Sequence, residues 1–422
     1  MSRALRVAAL VALVAAPWAC GAPADTNVAA VSTPSPRVLL ISFDGFRADY
    51  VDRPNAINLR RLAARGVRAE RLIPAFPSKT FPNHYTLVTG LTPEHHGVIA
   101  NVMRDPALGT FRTDDTLAVW EPRWWGGEPI WVTAEKQGRR TATYFWPGSE
   151  AAIGGVRPTW HERYEDRRPN TVRVQRVLEW LAMPADSAPA LITLYFSDTD
   201  NAGHRYGPLA SQTDSAIARV DSALGAIMDG VDRLGLHDVV NIVVVADHGM
   251  AESSGQRLIV LDDYLDLSTV DVVDWTPVAA IAPRDGDIER VYRALARRHP
   301  HLQVYRKGEV PTRFHYNENP RIAPIVAVAD EGWSITDRAS LARRGRESYD
   351  GGQHGYDPAL ISMGALFVAA GPGIAQGRRV PPFRNVHVYA LMARLLGLRP
   401  APTDGSIDSV RALLRTRASS SP

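Results

Sequence analysis

Three apolar runs in this sequence each lead into acidic side chains. They are RVLLISF at 37–43 before Asp44, LITLYF at 191–196 before Asp200, and NIVVVA at 241–246 before Asp247. Continuous runs of branched apolar residues are typical of parallel strands that are buried on both faces. Open α/β sheets bind ligands beyond the carboxyl ends of such strands. We therefore expect a parallel sheet whose carboxyl edge gathers these carboxylates.

Imidazoles accompany the carboxylates. Asp200 and His204 stand four residues apart, so a helical turn after the strand would aim both side chains at one point; alone, the pair would be read as solvated loop residues. His248 follows Asp247 directly, and His354 lies in the glycine-rich segment GGQHG. Three Asp and three His suit two divalent ions. A ligand set without thiolate favours zinc over manganese or iron.

A second polar motif, PSKTFPNH at 77–84, brings two hydroxyls to a predicted helix start. Either Ser78 or Thr80 would serve simply as a helix cap. A hydroxyl at a helix N-terminus beside a divalent ion is also placed for nucleophilic attack, because the helix dipole and the ion both favour the alkoxide. The residues alone do not choose between the two. No G-x-S-x-G motif occurs and Cys20 is the only cysteine, so serine-hydrolase and thiol mechanisms are disfavoured.

The N-terminus has the pattern of an export signal. Residues 1–24 combine early arginines with an apolar run, Val7 to Ala16, that is too short to span a bilayer. Cys20 follows that run, which suggests lipoprotein cleavage before Cys20 and membrane attachment through a lipidated cysteine; ordinary cleavage after Ala24 is the alternative. Residues 25–36 are a predicted linker. We expect a periplasmic or lipid-anchored protein without internal disulfides.

The rest of the chain alternates strand and helix patterns. From 37 to 400 this order predicts one doubly wound α/β domain, and a hydrophobic content of 45% is ample for its core. Residues 261–348 break the alternation and predict a small inserted α+β subdomain, while 401–422 are predicted to be a tail. The net charge is only +3 and the basic residues are scattered, so we predict no nucleic-acid groove.

Eight motifs, in this order, resemble the nucleotide pyrophosphatase/phosphodiesterase family of the alkaline phosphatase superfamily. They are SFDGFRADY, PSKTFPNHYTLVTGLTPEHHGVIAN, WWGGEPIWVTAEKQG, YFWPGSE, DTDNAGHRYGP, ADHGM, HGYDP and NVHVYALMARLLGL. The resemblance runs from about residue 37 to 400. It implies a mostly parallel sheet of the alkaline phosphatase type and a hydrolase with two zinc ions.

The same resemblance implies a role for each candidate site residue. Thr80, rather than Ser78, would be the nucleophile. One zinc would be held by Asp200, His204 and His354, and the other by Asp44, Asp247, His248 and Thr80 Oγ1. Asn101 and the Thr80 backbone amide would bind a non-bridging phosphoryl oxygen, unless Asn101 is an ordinary polar loop residue. A neutral amide suits a phosphodiester, whose transferring group carries less charge than that of a monoester.

Phe81 and Tyr164 fall where nucleotide-cleaving members of the family stack the base, although Thr113 replaces a larger apolar residue there. Core packing is the alternative role for both aromatic rings. The resemblance predicts release of nucleoside 5′-monophosphate through a phospho-threonine intermediate. A phosphodiesterase acting on lipid or choline headgroups is a second hypothesis. A non-catalytic binding protein is a third, disfavoured because every expected ligand is present.

Overall fold

A computed structural model describes residues 35–416 of the 422-residue chain. The predicted signal peptide, the Cys20 cleavage site and most of the predicted linker lie outside these residues, as do residues 417–422. Between residues 35 and 416, no helix is both long enough and apolar enough to cross a membrane.

The fold is built on an eight-stranded mixed sheet. Its strands in chain order are β1 (Arg37–Phe43), β2 (Val67–Ala69), β3 (Thr141–Tyr144), β4 (Trp160–Glu162), β5 (Leu191–Phe196), β6 (Val240–Val245), β7 (Phe367–Ala370) and β8 (Arg378–Val380). Their order across the sheet is β8-β2-β7-β6-β1-β5-β3-β4. All neighbours are parallel except β7, which is antiparallel to β6 and β2. The predicted doubly wound, mostly parallel sheet is therefore confirmed.

The α-helices of the described residues follow the predicted alternation. They are α1 (Ile57–Arg65), α2 (Thr80–Thr89), α3 (Pro93–His96), α4 (Thr116–Trp120), α5 (Ile130–Lys136), α6 (Asn170–Leu181), α7 (Asp198–Tyr206), α8 (Ser211–Arg233), α9 (Ile288–Leu295), α10 (Arg338–Arg344) and α11 (His387–Leu396). The longest of them, α8, spans 23 residues.

The three apolar runs form the centre of the main sheet. Every residue of β1, β5 and β6 is buried, as expected for parallel strands whose two faces are both covered. β1 pairs in parallel with both of the others, Ile41 lying opposite Leu194 on one side and Val244 on the other. The carboxyl ends of the three strands therefore lie side by side.

The segment 67–73 forms two short strands, Val67–Ala69 and Leu72–Ile73, rather than one. After β2, Leu72–Ile73 pairs with Phe383–Arg384 in a separate two-stranded sheet. The break follows from a change of hydrogen-bond partner, because Leu72 N–H donates to Ala365 O at 2.8 Å. The local pattern of apolar residues does not predict such a long-range contact.

A second sheet lies within residues 261–348, the predicted insert. Its four antiparallel strands, in spatial order, are Val270–Asp274, Val278–Pro283, Ile325–Ala329 and Leu302–Arg306. Val291 and Leu295 of α9 are fully buried in a core that is separate from the main one. Three short ribbons complete the strands: Val102–Asp105 with Gly109–Arg112, Ala251–Ser253 with Gly351–Gln353, and Leu258–Val260 with Ser334–Thr336.

The packed structure continues past residue 400, so the prediction that a tail begins at 401 is wrong for residues 401–416. Val410 and Leu413 are buried, and Ala375 N–H donates to Leu413 O at 2.9 Å. Thr92 N–H donates to the Asp404 carboxylate at 2.7 Å. Two buried residues in a short 3-10 turn are too few to give a periodic apolar pattern, which is why the sequence suggested a tail.

A buried carboxylate joins α8 to the start of α1. Asp221, which is 3% exposed, accepts the backbone N–H groups of Asn58 and Leu59, each at 2.8 Å. These donors belong to the first turn of α1, where no intrahelical acceptor exists. Asp221 therefore acts as a helix cap supplied by a neighbouring helix.

We predict that Asp221→Ala lowers the free energy of unfolding by about 2 kcal/mol, because two buried N–H groups lose an ionised acceptor. The matched control is Asp229→Ala on the same helix, whose carboxylate pairs with Arg61 and is 60% exposed. The control should change the free energy by less than about 0.5 kcal/mol. Urea denaturation followed by circular dichroism measures both variants, and equal losses would contradict the capping role.

Candidate functional site

The six predicted metal ligands lie together at the carboxyl edge of β1, β5 and β6. They form two groups, each with ligand atoms within 4.8 Å of one another: Asp44, Asp247 and His248 in the first, and Asp200, His204 and His354 in the second. The rings of His248 and His354 stack face to face with centroids 3.5 Å apart. The two groups are therefore halves of one site.

Two glycines allow the elements to approach closely enough. Gly45 follows Asp44 with φ +66°, and a Cβ at Gly45 would lie 2.9 Å from Asp200 Cα on α7. Gly351 has φ +123°, and a Cβ there would overlap the carbonyl oxygen of His204. Positive φ and missing side chains let β1 and the 351–353 ribbon pack directly against α7.

Each of the three imidazoles is oriented by a backbone carbonyl. His204 Nδ1 donates to Gly352 O, and His354 Nδ1 donates to Ser78 O, each at 2.9 Å. His248 Nδ1 donates to Gly249 O at 2.8 Å. A hydrogen bond at Nδ1 places the proton there and leaves the Nε2 lone pair free. A backbone carbonyl that accepts from the second ring nitrogen is typical of metal-binding histidines.

The carboxylates present matching free oxygens. Asp44 Oδ1, Asp200 Oδ1 and Asp247 Oδ2 are buried and have no hydrogen-bond partner among residues 35–416. Asp200 Oδ1 lies 3.4 Å from His204 Nε2 and 3.7 Å from His354 Nε2. Buried acceptors without a donor are rare and need an explanation. Free oxygens facing free imidazole nitrogens fit divalent cations such as zinc.

The electrostatics of the first group also favour a cation. Burial, with the negative charges of Asp247 and Asp200, raises the pKa of Asp44 well above its usual range. Burial acts in the same direction on Asp247, but positive charge on His248 and His84 outweighs it and holds the pKa of Asp247 well below its usual range. A divalent ion at His248 Nε2 would supply that positive charge in place of a proton. A bound divalent ion would stabilise both carboxylates in the charged form.

Thr80 and Ser78 differ in their surroundings. Thr80 is the first residue of α2, is partly exposed, and places Oγ1 3.3 Å from His248 Nε2. Ser78 is fully buried, and its hydroxyl donates to Tyr356 O at 2.6 Å. Of these two hydroxyls, Thr80 is the one that faces the metal-ligand group.

Asn101 lies beside the start of α2. Its Oδ1 accepts the backbone N–H of Phe81 at 3.0 Å, which leaves the Nδ2 hydrogens as the free donors of this amide. Phe81 is partly buried against Phe111 and Trp125, with ring centroids 5.9 and 6.1 Å away. The same helix start therefore positions the hydroxyl, the amide and one aromatic face.

Tyr164 supplies a second aromatic face, 50% exposed. Its ring contacts Tyr195 at a centroid distance of 6.2 Å, and Tyr195 Oη donates to Asp44 Oδ2 at 2.6 Å. Thr113 is exposed just after the strand Gly109–Arg112. Tyr164 is thereby linked to the first metal-ligand group through one side chain.

Sequence reasoning missed two supporting side chains, Tyr195 and His84. His84 is fully buried; its Nδ1 donates to Thr80 O at 2.9 Å, and its Nε2 shares a hydrogen bond with Ser42 Oγ at 2.8 Å. The spacing of four residues between Thr80 and His84 on one helix was the available signal. Tyr195 carried no such signal, because its partner Asp44 is 151 residues away.

Comparisons with known proteins identify the family of this chain. The profile of the type I phosphodiesterase/nucleotide pyrophosphatase family matches residues 38–357. Human ectonucleotide pyrophosphatase/phosphodiesterase family member 1 is 38% identical over 393 residues, which cover 90% of this chain and 42% of the human protein. The bis(5′-adenosyl)-triphosphatase of Xenopus laevis is 38% identical over 382 residues, covering 90% of this chain and 82% of that protein. This chain thus spans less than half the length of the human relative.

Solved structures give the same result. Murine ectonucleotide pyrophosphatase/phosphodiesterase 5 has a TM-score of 0.85 and 38% identity, covering 90% of this chain and 100% of the murine chain. That structure is an inactive threonine-to-alanine variant in complex with AMP. The similarity confirms the alkaline phosphatase-type α/β fold. By its sequence profile and its relatives, this chain belongs to the type I phosphodiesterase/nucleotide pyrophosphatase family.

Proposed function

We propose that this chain is a two-zinc phosphodiesterase and nucleotide pyrophosphatase. The observation that carries the proposal is a set of three buried carboxylate oxygens that have no hydrogen-bond partner within the described part of the chain. They face imidazole nitrogens beside a threonine hydroxyl. One ion would be held by Asp44, Asp247, His248 and Thr80 Oγ1, and the other by Asp200, His204 and His354. When bound, the two ions would lower the pKa of the Thr80 hydroxyl and neutralise negative charge on the phosphoryl group.

Thr80 is the proposed nucleophile. Its Oγ1 loses a proton to solvent and bonds to phosphorus, while the bond from phosphorus to the leaving oxygen breaks and that oxygen keeps the electron pair. The nucleoside 5′-phosphoryl group is then carried on Thr80 as a diester. The oxygen of a water molecule next bonds to phosphorus and gives up a proton, and the bond between Thr80 Oγ1 and phosphorus breaks. Thr80 regains a proton, and nucleoside 5′-monophosphate is released. His84 holds the first turn of α2 in place through its hydrogen bond to Thr80 O.

Asn101 would favour diesters over monoesters. With Oδ1 occupied by Phe81 N–H, the Nδ2 group is free to donate to a non-bridging phosphoryl oxygen. A neutral donor stabilises the single charge of a diester, whereas a dianionic monoester gains more from a guanidinium. The expected preference is therefore for phosphodiester and phosphoanhydride bonds.

Phe81 and Tyr164 would hold the base of a nucleotide. Each presents a partly exposed ring face, and stacking of a base on an aromatic ring is worth about 1–3 kcal/mol without reading the base identity. The adenine nucleotides named for the Xenopus and murine relatives support this substrate class. We expect broad base tolerance.

We also propose that the protein is exported. The support is the signal-like composition of residues 1–24, with Cys20 as a candidate lipidation site for attachment to the cell envelope.

We predict that Thr80→Ala lowers kcat by at least about a thousandfold while AMP binding is partly retained, because the attacking oxygen is removed and the six Asp and His ligands remain. The matched control is Ser78→Ala two residues away, which should lose less than about tenfold. Steady-state kinetics and calorimetry measure the two effects. An active Thr80→Ala with an inactive Ser78→Ala would assign the nucleophile to Ser78.

We further predict that kcat/KM is higher for the 5′-nitrophenyl ester of thymidine monophosphate than for nitrophenyl phosphate or nitrophenyl phosphocholine, measured in one buffer. The first substrate is a diester with a base, the second is a monoester, and the third is a diester with a choline headgroup. Tyr164→Ala should reduce the advantage of the nucleotide by about tenfold. If the phosphocholine ester leads, the headgroup hypothesis replaces ours; if the monoester leads, the role of Asn101 fails.

A further inference from the structure

Arg173 is a buried cation that the proposed reaction leaves without a role. It lies in the first turn and a half of α6 and is 2% exposed. Its guanidinium donates to backbone carbonyls, and no carboxylate in residues 35–416 forms a salt bridge with it. Burying an arginine without a counter-ion is unfavourable. We therefore ask which segments of the chain its hydrogen bonds to backbone carbonyls hold in place.

The three hydrogen bonds join a loop to the end of β5. Nη1 donates to Tyr195 O at 2.9 Å, Nε to Arg168 O at 3.1 Å, and Nη2 to Asp166 O at 3.3 Å. Tyr195 belongs to β5, whereas Arg168 and Asp166 belong to the 163–169 loop that also carries Tyr164. The planar fork of the guanidinium suits several fixed acceptors at once.

Tyr164 depends on that loop for its orientation. Its ring is half exposed, and its hydroxyl donates to the Asp166 carboxylate at 2.9 Å. Its backbone N–H donates to Glu150 Oε1 at 2.7 Å. Arg173 fixes the backbone of the residue to which the hydroxyl is bonded, so the position of the phenol follows from the position of the guanidinium.

Arg173 also contacts Phe145, which in turn packs against Tyr164. The guanidinium carbon lies 5.0 Å from the centroid of the Phe145 ring, within range of a cation–π contact. The Phe145 ring meets the Tyr164 ring edge-on at 5.3 Å. Phe145 has φ +61°, an unfavourable conformation for an aromatic residue that the surrounding contacts must maintain.

We propose that Arg173 is a positioning residue for substrate specificity: by holding the 163–169 loop and Phe145, it fixes Tyr164 as a stacking face for a planar nucleobase. The proposal rests on the proposed nucleotide activity and adds the residue that positions Tyr164 against the base. Lysine cannot replace it, because one ammonium group cannot reach three carbonyls in the fork geometry.

The test compares two diesters with the same leaving group. One is the 5′-nitrophenyl ester of thymidine monophosphate, and the other is methyl nitrophenyl phosphate, which has no base. Arg173→Lys and Arg173→Met should raise KM for the nucleotide and lower its kcat/KM by about tenfold, the size of one lost stacking contact. The methyl diester should change by less than about twofold.

A control variant and the ratio of the two kcat/KM values distinguish a positioning role of Arg173 from an effect on protein stability. Arg176→Met removes an exposed α6 arginine that pairs with Glu162 and Glu179, and it should leave the ratio of the two kcat/KM values unchanged. That ratio, taken within one preparation, does not depend on the fraction of folded protein. A partly unfolded variant therefore still gives a result.

Combination with Tyr164→Ala completes the test. Because both residues act on one stacking face, Arg173→Met should add little to the loss caused by Tyr164→Ala. Equal losses with both diesters, additive losses, or an unchanged ratio in both Arg173 variants would overturn the proposal.

Failure of the proposed function would be recognised separately, since the wild type would then hydrolyse neither diester or show no preference for the nucleotide over the methyl diester. Calorimetry with AMP and with inorganic phosphate would decide the role of Arg173 in that case. AMP affinity about tenfold weaker in Arg173→Met, with phosphate affinity unchanged, supports the positioning role. Unchanged AMP affinity overturns it.

Discussion

Three carboxylates and three imidazoles meet at one edge of the sheet, where four of the six are buried, and this concentration of candidate ligands is the constraint on which the site depends. Placing like charges such as Asp44 and Asp247 in a buried site is unfavourable by several kcal/mol per ion unless cations neutralise them. Among residues 35–416, the hydrogen bonds at the Nδ1 atoms and the lack of partners for Asp44 Oδ1 and Asp247 Oδ2 have the same explanation. Both sets of atoms have the chemistry of ligands for a divalent cation.

The surrounding structure fixes the segment that carries the hydroxyl. Ser78 O accepts from His354 Nδ1, and Ser78 Oγ donates to Tyr356 O. Lys79, which is 5% exposed, forms a salt bridge with Asp274 of the four-stranded second sheet. The two residues that precede α2 are thus held by the 354–356 loop and by the second sheet. The second sheet, which has its own core, therefore contributes to the geometry at Thr80.

The sequence predicted what depends on local pattern. Continuous apolar runs located β1, β5 and β6, and the spacing of four residues located Asp200 and His204 on one helical face. The supporting contacts were not predictable, because each joins distant parts of the chain. Tyr195 reaches Asp44 across 151 residues and His354 reaches Ser78 across 276. Residues 401–416 were misjudged for the same reason, since their order comes from contacts with α3 and the 371–375 turn.

We propose that these six side chains bind two divalent ions, and the metal content of the protein measures that binding. Protein is dialysed against a chelator, incubated with zinc, desalted, and analysed by inductively coupled plasma mass spectrometry. We predict about two zinc ions per chain for the wild type and about one for His204→Ala. His301→Ala, which removes a partly exposed histidine paired with Asp330 in the insert, should retain both. A wild type that retains no zinc, or full hydrolysis by metal-free protein, would contradict the claim.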